Sequence, residues 1–129
     1  MEKKLDLTQA EWLLMEQLWT QSPQTGRELT CTMQAQTGWS RSTTLTLLRR
    51  LTEKGAVRTE VRDGMHVYFP AVSREDAAAR QTRDLLGRVY HGSLSLLVSA
   101  MTREETLSKA EIDELYAILD EMEAKQSDA

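Results

Sequence analysis

The chain has 129 residues, a formal net charge of −4 and a single cysteine. This length allows one ordinary domain or two very small ones and excludes a multidomain enzyme. With 40% hydrophobic and 28% charged residues, the chain is expected to fold rather than remain disordered. One cysteine excludes an internal disulfide framework, and no apolar run reaches the roughly 18 residues of a membrane-spanning helix. We therefore expect a soluble, cytoplasmic protein without membrane insertion.

Helix starts are marked by Ser/Thr-x-x-Glu/Asp pairs, which satisfy free amide groups in the first helical turn. Four such pairs occur where a helix is expected to begin: Thr8/Glu11, Thr25/Glu28, Ser73/Asp76 and Ser108/Glu111. The first predicted helix follows Thr8 and ends before Ser22-Pro23. The second extends from about Arg27 to Gln36.

A third helix is predicted from Arg41 to Lys54, ahead of Gly55, because glycine commonly follows a helix end. Its inward stripe has helical spacing and consists of Thr44, Leu47, Leu48 and Leu51. The outer arc carries Ser42, Leu45, Thr46 and Arg49, with Thr43 and Arg50 on one flank. This face is short, polar and basic apart from one leucine, a composition suited to base edges and phosphates.

Between Gly55 and Pro70 the apolar period changes to two, which is typical of strands. Residues 56–62 and 65–69 flank Asp63-Gly64, a dipeptide typical of a two-residue hairpin turn. Arg58 and Arg62 then lie near the hairpin tip. Between residues 40 and 62, six basic side chains stand against two acidic ones, so we expect a local basic patch on an acidic protein.

Three short helices followed by a hairpin are typical of the winged helix-turn-helix, in which the third helix enters the major groove of DNA. We predict that residues 1–72 form this DNA-binding domain, and that Arg41, Arg58 and Arg62 join the outer face of the third helix in contacting DNA. The alternative is an ordinary solvated helix on a small α+β domain.

Beyond Pro70 the pattern returns to helix, which makes the fold class mostly α with a small β-hairpin. Helices are predicted from Ser73 to about His91, over 93–101, and over 109–124. Residues 73–129 are too few to bury a stable core alone, so we predict a C-terminal helical dimerisation region that pairs with a second copy. The alternative is that its apolar seam packs on its own N-terminal domain. The predicted dimerisation residues are Leu85, Leu86, Val89, Ile112, Leu115, Tyr116, Leu119 and Met122.

Other chemistry is weakly represented in the sequence. Cys31 has no CxxC partner, and His66 and His91 fall in different elements, so neither a zinc site nor a Cys/His catalytic pair has usable spacing. The sequence contains no Gly-rich phosphate loop and no nucleophile elbow. We therefore expect no metal, no cofactor and no enzymatic activity.

Four segments spread over nearly the whole chain carry a family resemblance. They are Leu7-Thr8-x-Ala10-Glu11-Trp12-x-x-Met15-x-x-Leu18-Trp19, Trp39-Ser40-x-x-Thr43-Thr44-x-Thr46-x-Leu48-x-Arg50-Leu51-x-x-Lys54-Gly55, Tyr68-x-Pro70-x-Val72-Ser73-Arg74-Glu75, and Gly92-Ser93. Together they resemble the penicillinase repressor family of bacterial regulators, the BlaI/MecI type with copper-responsive CopY relatives. The resemblance implies a dimer that binds a palindromic operator through an N-terminal winged helix.

The resemblance also implies derepression by a membrane sensor-protease that cuts the dimerisation region. Aligned with the family, the scissile bond falls at about Ser99-Ala100, where the family favours asparagine followed by an aromatic residue. The copper-responsive relatives carry a C-terminal cysteine cluster, which this chain lacks. We therefore predict a homodimeric DNA-binding repressor. The alternative is a winged-helix protein-interaction module that no longer binds DNA.

Overall fold

Three helices build the first part of the fold: α1 (Gln9–Thr20), α2 (Gly26–Thr37) and α3 (Arg41–Glu53). They belong to a computed structural model that describes residues 5–104 and 107–127. Both predicted N-terminal capping boxes are formed, with the Thr8 and Thr25 hydroxyls accepting from the backbone N–H groups of Glu11 and Glu28. The helix starts predicted from these pairs are therefore confirmed.

A three-stranded antiparallel sheet follows the helices in the order β1-β3-β2, formed by β1 (Gln24–Thr25), β2 (Val57–Arg62) and β3 (Met65–Pro70). The hairpin prediction is confirmed, with the pairing running from Arg62 opposite Met65 to Val57 opposite Pro70. Asp63 and Gly64 have φ values of 52° and 78°, the positive values that such a two-residue turn requires. The short strand β1 was not predicted.

The core lies between the three helices and the base of the hairpin. Its fully buried large side chains include Leu14, Met15, Leu18, Leu29, Met33, Leu48 and Leu51. Each such side chain contributes about 1.5–3 kcal/mol to the stability of the fold through its removal from water. This burial holds α3 against α1 and α2. The Trp19 indole N–H donates to the carbonyl of Val72 at 2.9 Å, which ties the segment after β3 to α1.

Three further helices complete the chain: α4 (Arg74–Val89), α5 (Leu94–Glu104) and α6 (Lys109–Ser127). Within the parts of the chain that the structure describes, every helix is too short or too polar to cross a bilayer. The chain divides into two compact units, one up to Leu85 and one from Leu86 onward.

This division differs from the boundary predicted between residues 72 and 73. The first turns of α4 pack with the N-terminal unit, because Ala77 is fully buried in its core. The Gln81 side chain also donates to the carbonyl of Leu7 at 3.2 Å. Arg74 forms an ion pair with Glu16 of α1, with 2.7 Å between Nε and Oε1. The prediction relied on helical periodicity, which does not tell which unit a helix packs against.

Candidate nucleic-acid interface

Helix α3 is held by one face and exposes the other. Its predicted inward residues, Thr44, Leu47, Leu48 and Leu51, are all buried. The outer side chains that are exposed are Arg41, Ser42, Thr43, Arg49 and Arg50. The helix therefore presents polar and cationic groups on a rigid support, as an element that enters a DNA groove requires.

The first turn of α3 favours an anion. Ser40 is the N-cap, and its hydroxyl accepts from the backbone N–H of Thr43 at 3.2 Å. The turn contains no acidic side chain and begins with Arg41. The partial positive charge of a helix N-terminus and an adjacent guanidinium both attract phosphate.

Leu45 departs from the predicted exposure. Its side chain is half-buried and packs against the core. A Cβ built on Gly26, the first residue of α2, would lie 3.5 Å from Leu45 Cδ2 and 3.6 Å from Tyr68 Cε2, so Leu45 lies against the start of α2. The sequence placed Leu45 on the outer arc, but a helical wheel of α3 alone does not include α2, which covers part of this side chain. Thr46 is half-buried as well. Contact of either residue with DNA stays a prediction.

Lys54, counted in the predicted basic patch, is engaged inside the protein. Its ammonium lies 2.7 Å from Oε1 of Glu11 and donates to the carbonyl of Asp6 at 2.5 Å. This charge is therefore neutralised by the buried carboxylate of Glu11. The sequence identified Glu11 only as a capping residue. Its ion pair with Lys54 was not predicted, because the two residues are 43 positions apart in the chain.

The wing, which we define as β2, β3 and their turn, carries a compact charged cluster. Arg58, Glu60 and Arg62 alternate along β2 and lie on one face. Glu60 accepts hydrogen bonds from both guanidiniums, whose central carbons lie 4.4 and 4.9 Å from the ring centre of Phe69. The hydrogen bond from Arg58 is the largest cause that lowers the pKa of Glu60. The hydrogen bond from Arg62 and the positive charges of both arginines lower this pKa further. The prediction of wing arginines missed this pairing, although their alternation on one strand face could have indicated it.

Cationic groups without an internal counter-charge remain on α3. Within residues 5–104 and 107–127, Arg41, Arg49 and Arg50 form no ion pair, whereas Lys54 and the two wing arginines do. Together with the exposed Ser42 and Thr43, these three arginines form what we call the α3 face.

Comparison with known proteins places the chain among bacterial repressors. The family model described as "Penicillinase repressor" matches residues 7–121. The chain is 31% identical over 121 residues to the penicillinase repressor of Bacillus licheniformis, covering 94% of each sequence. It is 29% identical to the methicillin resistance regulatory protein MecI of Staphylococcus aureus, over 91% of this chain and 95% of that protein.

This chain belongs to the penicillinase repressor family. Among solved structures, the DNA-binding domain of the repressor BlaI matches with a TM-score of 0.53 and 29% identity, over 59% of this chain and 93% of that one. Monomeric Bacillus licheniformis BlaI in complex with the blaP half-operator matches with a TM-score of 0.52 at the same identity and coverage. The winged-helix fold predicted for the N-terminal part is thereby confirmed.

In this penicillinase repressor family member, the C-terminal unit leaves an apolar surface uncovered. The predicted dimerisation residues on α4 and α6 are exposed or half-buried, and α6 contains no buried residue. Two apolar hollows between α5 and α6 share Val98, Leu107 and Leu115. The exposed apolar side chains of this unit include Val89, Leu94, Leu96, Ile112, Tyr116, Ile118, Leu119 and Met122.

The predicted scissile residues, Ser99 and Ala100, lie within α5. Ser99 is exposed and Ala100 half-buried, and the carbonyl of Ser99 accepts from the Thr102 hydroxyl at 2.8 Å. A protease binds its substrate in extended form, so cleavage at this bond requires local unwinding of α5.

No metal site emerges in the part of the chain that the structure describes, which contains no group of three or more His, Cys, Asp or Glu residues able to hold an ion. Cys31 is free and exposed on α2. His66 lies on β3 and His91 in the turn after α4.

Proposed function

We propose that this protein is a transcriptional repressor that binds a palindromic operator as a homodimer, through the α3 face and the wing. The observation that carries the proposal is the α3 face itself. Three arginines that form no ion pair with any residue the structure describes stand beside hydroxyl side chains, on a helix whose opposite stripe is buried. Such a face can approach base edges and phosphates without rearranging the fold.

Two further observations support DNA as the partner. The wing carries a second cationic group on β2, where the side chains of Arg58 and Arg62 are each 54% exposed. A relative with the same winged-helix fold has been solved in complex with the blaP half-operator. In this proposal the protein acts in the cytoplasm, where bacterial promoters are located.

The first experiment measures binding of the full chain to a random-sequence duplex by fluorescence anisotropy. The monovalent salt concentration is varied from about 50 to 300 mM, a range over which electrostatic binding to DNA weakens strongly. We expect log K to fall linearly with log salt with a slope of several units, since several phosphates are contacted. Absence of binding at every salt concentration would instead favour a protein-interaction module. Selection from a random duplex pool then supplies the operator, which we expect to be an inverted repeat.

Dimerisation is supported by the uncovered apolar side chains of the C-terminal unit. Monomeric proteins rarely expose so many large apolar groups on adjacent helices. A twofold axis through the paired units would present two α3 faces to two half-sites one helical turn or more apart. Linking two half-site contacts raises the apparent affinity by orders of magnitude without any new contact to DNA.

Derepression by cleavage at Ser99-Ala100, through a membrane sensor-protease, is the regulatory part of the proposal. A cut there separates α6, with exposed apolar side chains that include Ile112, Leu119 and Met122, from the rest of the chain. Mass spectrometry of the protein from cells exposed to candidate inducers, among them a β-lactam, is expected to show fragments ending at Ser99 and beginning at Ala100. An intact chain in cells whose target genes are induced would contradict this mechanism.

A further inference from the structure

The charged cluster of the wing has a shared carboxylate at its centre. One oxygen of Glu60 accepts from Arg58 Nη1, and the other accepts from Arg62 Nη2 at 3.2 Å. Both guanidiniums also lie over the ring of Phe69. Two cations are thus held by one anion and one aromatic ring, so the cluster carries a net charge of one rather than two.

The cluster remains open to an outside anion. Each guanidinium has five N–H donors in a planar fork, and the bonds to Glu60 use only part of this set. With the two arginine side chains 54% and the Glu60 side chain 39% exposed, a phosphate can reach the remaining donors. It would then lie beside a carboxylate, and like charges in proximity weaken its binding.

We propose that Glu60 is a positioning and charge-balancing residue of the wing, which fixes Arg58 and Arg62 as a preformed phosphate-binding pair and limits their affinity for DNA of arbitrary sequence. The inference rests on the proposed DNA binding. A sequence-independent contact made by two free arginines would retain the protein on the large excess of non-operator DNA. One shared carboxylate reduces this attraction and keeps the side chains ordered.

The same chain offers a matched control. Glu16 of α1 pairs with Arg74, and their side chains are 35% and 54% exposed. The Arg74 guanidinium also lies over an aromatic ring, 5.6 Å from the centre of Trp12. Glu16→Gln therefore removes one negative charge, as Glu60→Gln does, together with an exposed Arg–Glu pair that lies outside the proposed interface.

The test measures the affinity of wild type, Glu60→Gln and Glu16→Gln for a random duplex across a salt series. For Glu60→Gln we expect roughly five- to tenfold tighter binding near 0.1 M salt and a salt slope steeper by about one unit, because one more positive charge displaces a counterion. Glu16→Gln should match the wild type within about twofold, since this exposed charge belongs to neither the α3 face nor the wing and salt screens its effect on them.

Three outcomes separate the inference from the function on which it rests. Equal affinities and slopes for Glu60→Gln and Glu16→Gln would overturn the inference while leaving DNA binding intact. Weaker binding by Glu60→Gln would also overturn it, because the carboxylate would then assist the contact instead of limiting it. No binding by the wild type at low salt would overturn the proposed function itself. Circular dichroism of both variants checks that the fold is retained.

Discussion

Glu11 and Lys54 connect the first turn of α1 to the residue that ends α3. The Glu11 carboxylate is 1% exposed, its Oε1 lies 2.7 Å from the Lys54 ammonium, and it also accepts the Thr8 backbone N–H at 2.8 Å. Burial raises the pKa of Glu11, but the hydrogen bond from Lys54, the bonds from Thr8 and the charge of Lys54 together hold the pKa below its ordinary value of 4.5. The pair fixes the C-terminal end of the proposed DNA-reading helix.

The first prediction concerns the contribution of this pair to stability. Glu11→Gln keeps the side-chain size but removes the charge, and it should lower the free energy of unfolding at pH 7 by about 1–3 kcal/mol. Because the pKa of Glu11 is lowered in the folded state, its stabilisation is present above the unfolded value and lost as the pH falls through the folded value. The difference between variant and wild type should therefore shrink below about pH 4.5.

Urea denaturation followed by circular dichroism at a series of pH values measures this difference. Glu16→Gln serves as the control and should cost less than about 0.5 kcal/mol, because its ion pair is exposed. A difference for Glu11→Gln that stays constant down to pH 3 would show that the charge of Glu11 is not involved.

The second prediction separates the two partners of the pair. Lys54→Met leaves a buried carboxylate without its counter-charge, so it should destabilise the protein at pH 7 by about 2–4 kcal/mol, more than Glu11→Gln. In this variant burial is no longer offset by Lys54, so the pKa of Glu11 rises and acidification relieves part of the loss. Adding Glu11→Gln to Lys54→Met should recover stability, whereas additive losses in the double variant would contradict the ion-pair interpretation.

The sequence predicted the elements well where the signal is local. Capping pairs, glycine positions and the Asp63-Gly64 turn depend on residues within a few positions, so the helices and the hairpin follow from them. Strand β1 was missed because two residues cannot display a period, and its pairing of Gln24 with Tyr68 joins distant parts of the chain. The ion pair of Glu11 and the partial burial of Leu45 were missed for the same reason.

The third prediction concerns Arg50, which lies on the flank of α3 and forms no ion pair among residues 5–104 and 107–127. This position suits a backbone phosphate rather than a base. Arg50→Ala should weaken binding by a similar factor for operator and random duplex, and the salt slope should decrease in magnitude by about one unit. Anisotropy titrations over a salt series with both duplexes measure this effect. If only operator binding weakened, Arg50 would be a base-reading residue.

The fourth prediction assigns dimerisation to the apolar face of α6. Replacing Leu115 and Leu119 by Asp places two charges in the proposed contact and should yield monomers with a folded N-terminal unit and much weaker operator binding. Ala110→Asp with Ala117→Asp is the matched control, because these exposed alanines lie on the opposite face of the same helix. Sedimentation velocity distinguishes the states. An intact dimer for the leucine variant would place the interface elsewhere, with Leu85, Leu86 and Val89 as the next candidates.

The last prediction concerns Leu45, whose half-buried side chain lies against the start of α2 and within the proposed DNA-reading surface. Leu45→Ala removes packing against the core beside Gly26, so we expect a loss of about 1–2 kcal/mol in the free energy of unfolding. The part of the side chain that stays exposed can also pack on a thymine methyl, a contact that distinguishes A·T from G·C pairs without a hydrogen bond.

A double-mutant cycle, which combines Leu45→Ala in the protein with a base change in the duplex, separates these two roles. Binding is measured under conditions in which the wild type and the variant are both fully folded. Leu45→Ala should cost on the order of 1 kcal/mol in operator affinity and little on random duplex. Replacing the contacted thymine by uracil deletes only the methyl group, so it should reproduce this loss in the wild type and add nothing in the variant. If the two losses were additive, Leu45 would act through the packing of α3 on α2, and the sequence preference at that base pair would come from a residue of the α3 face instead.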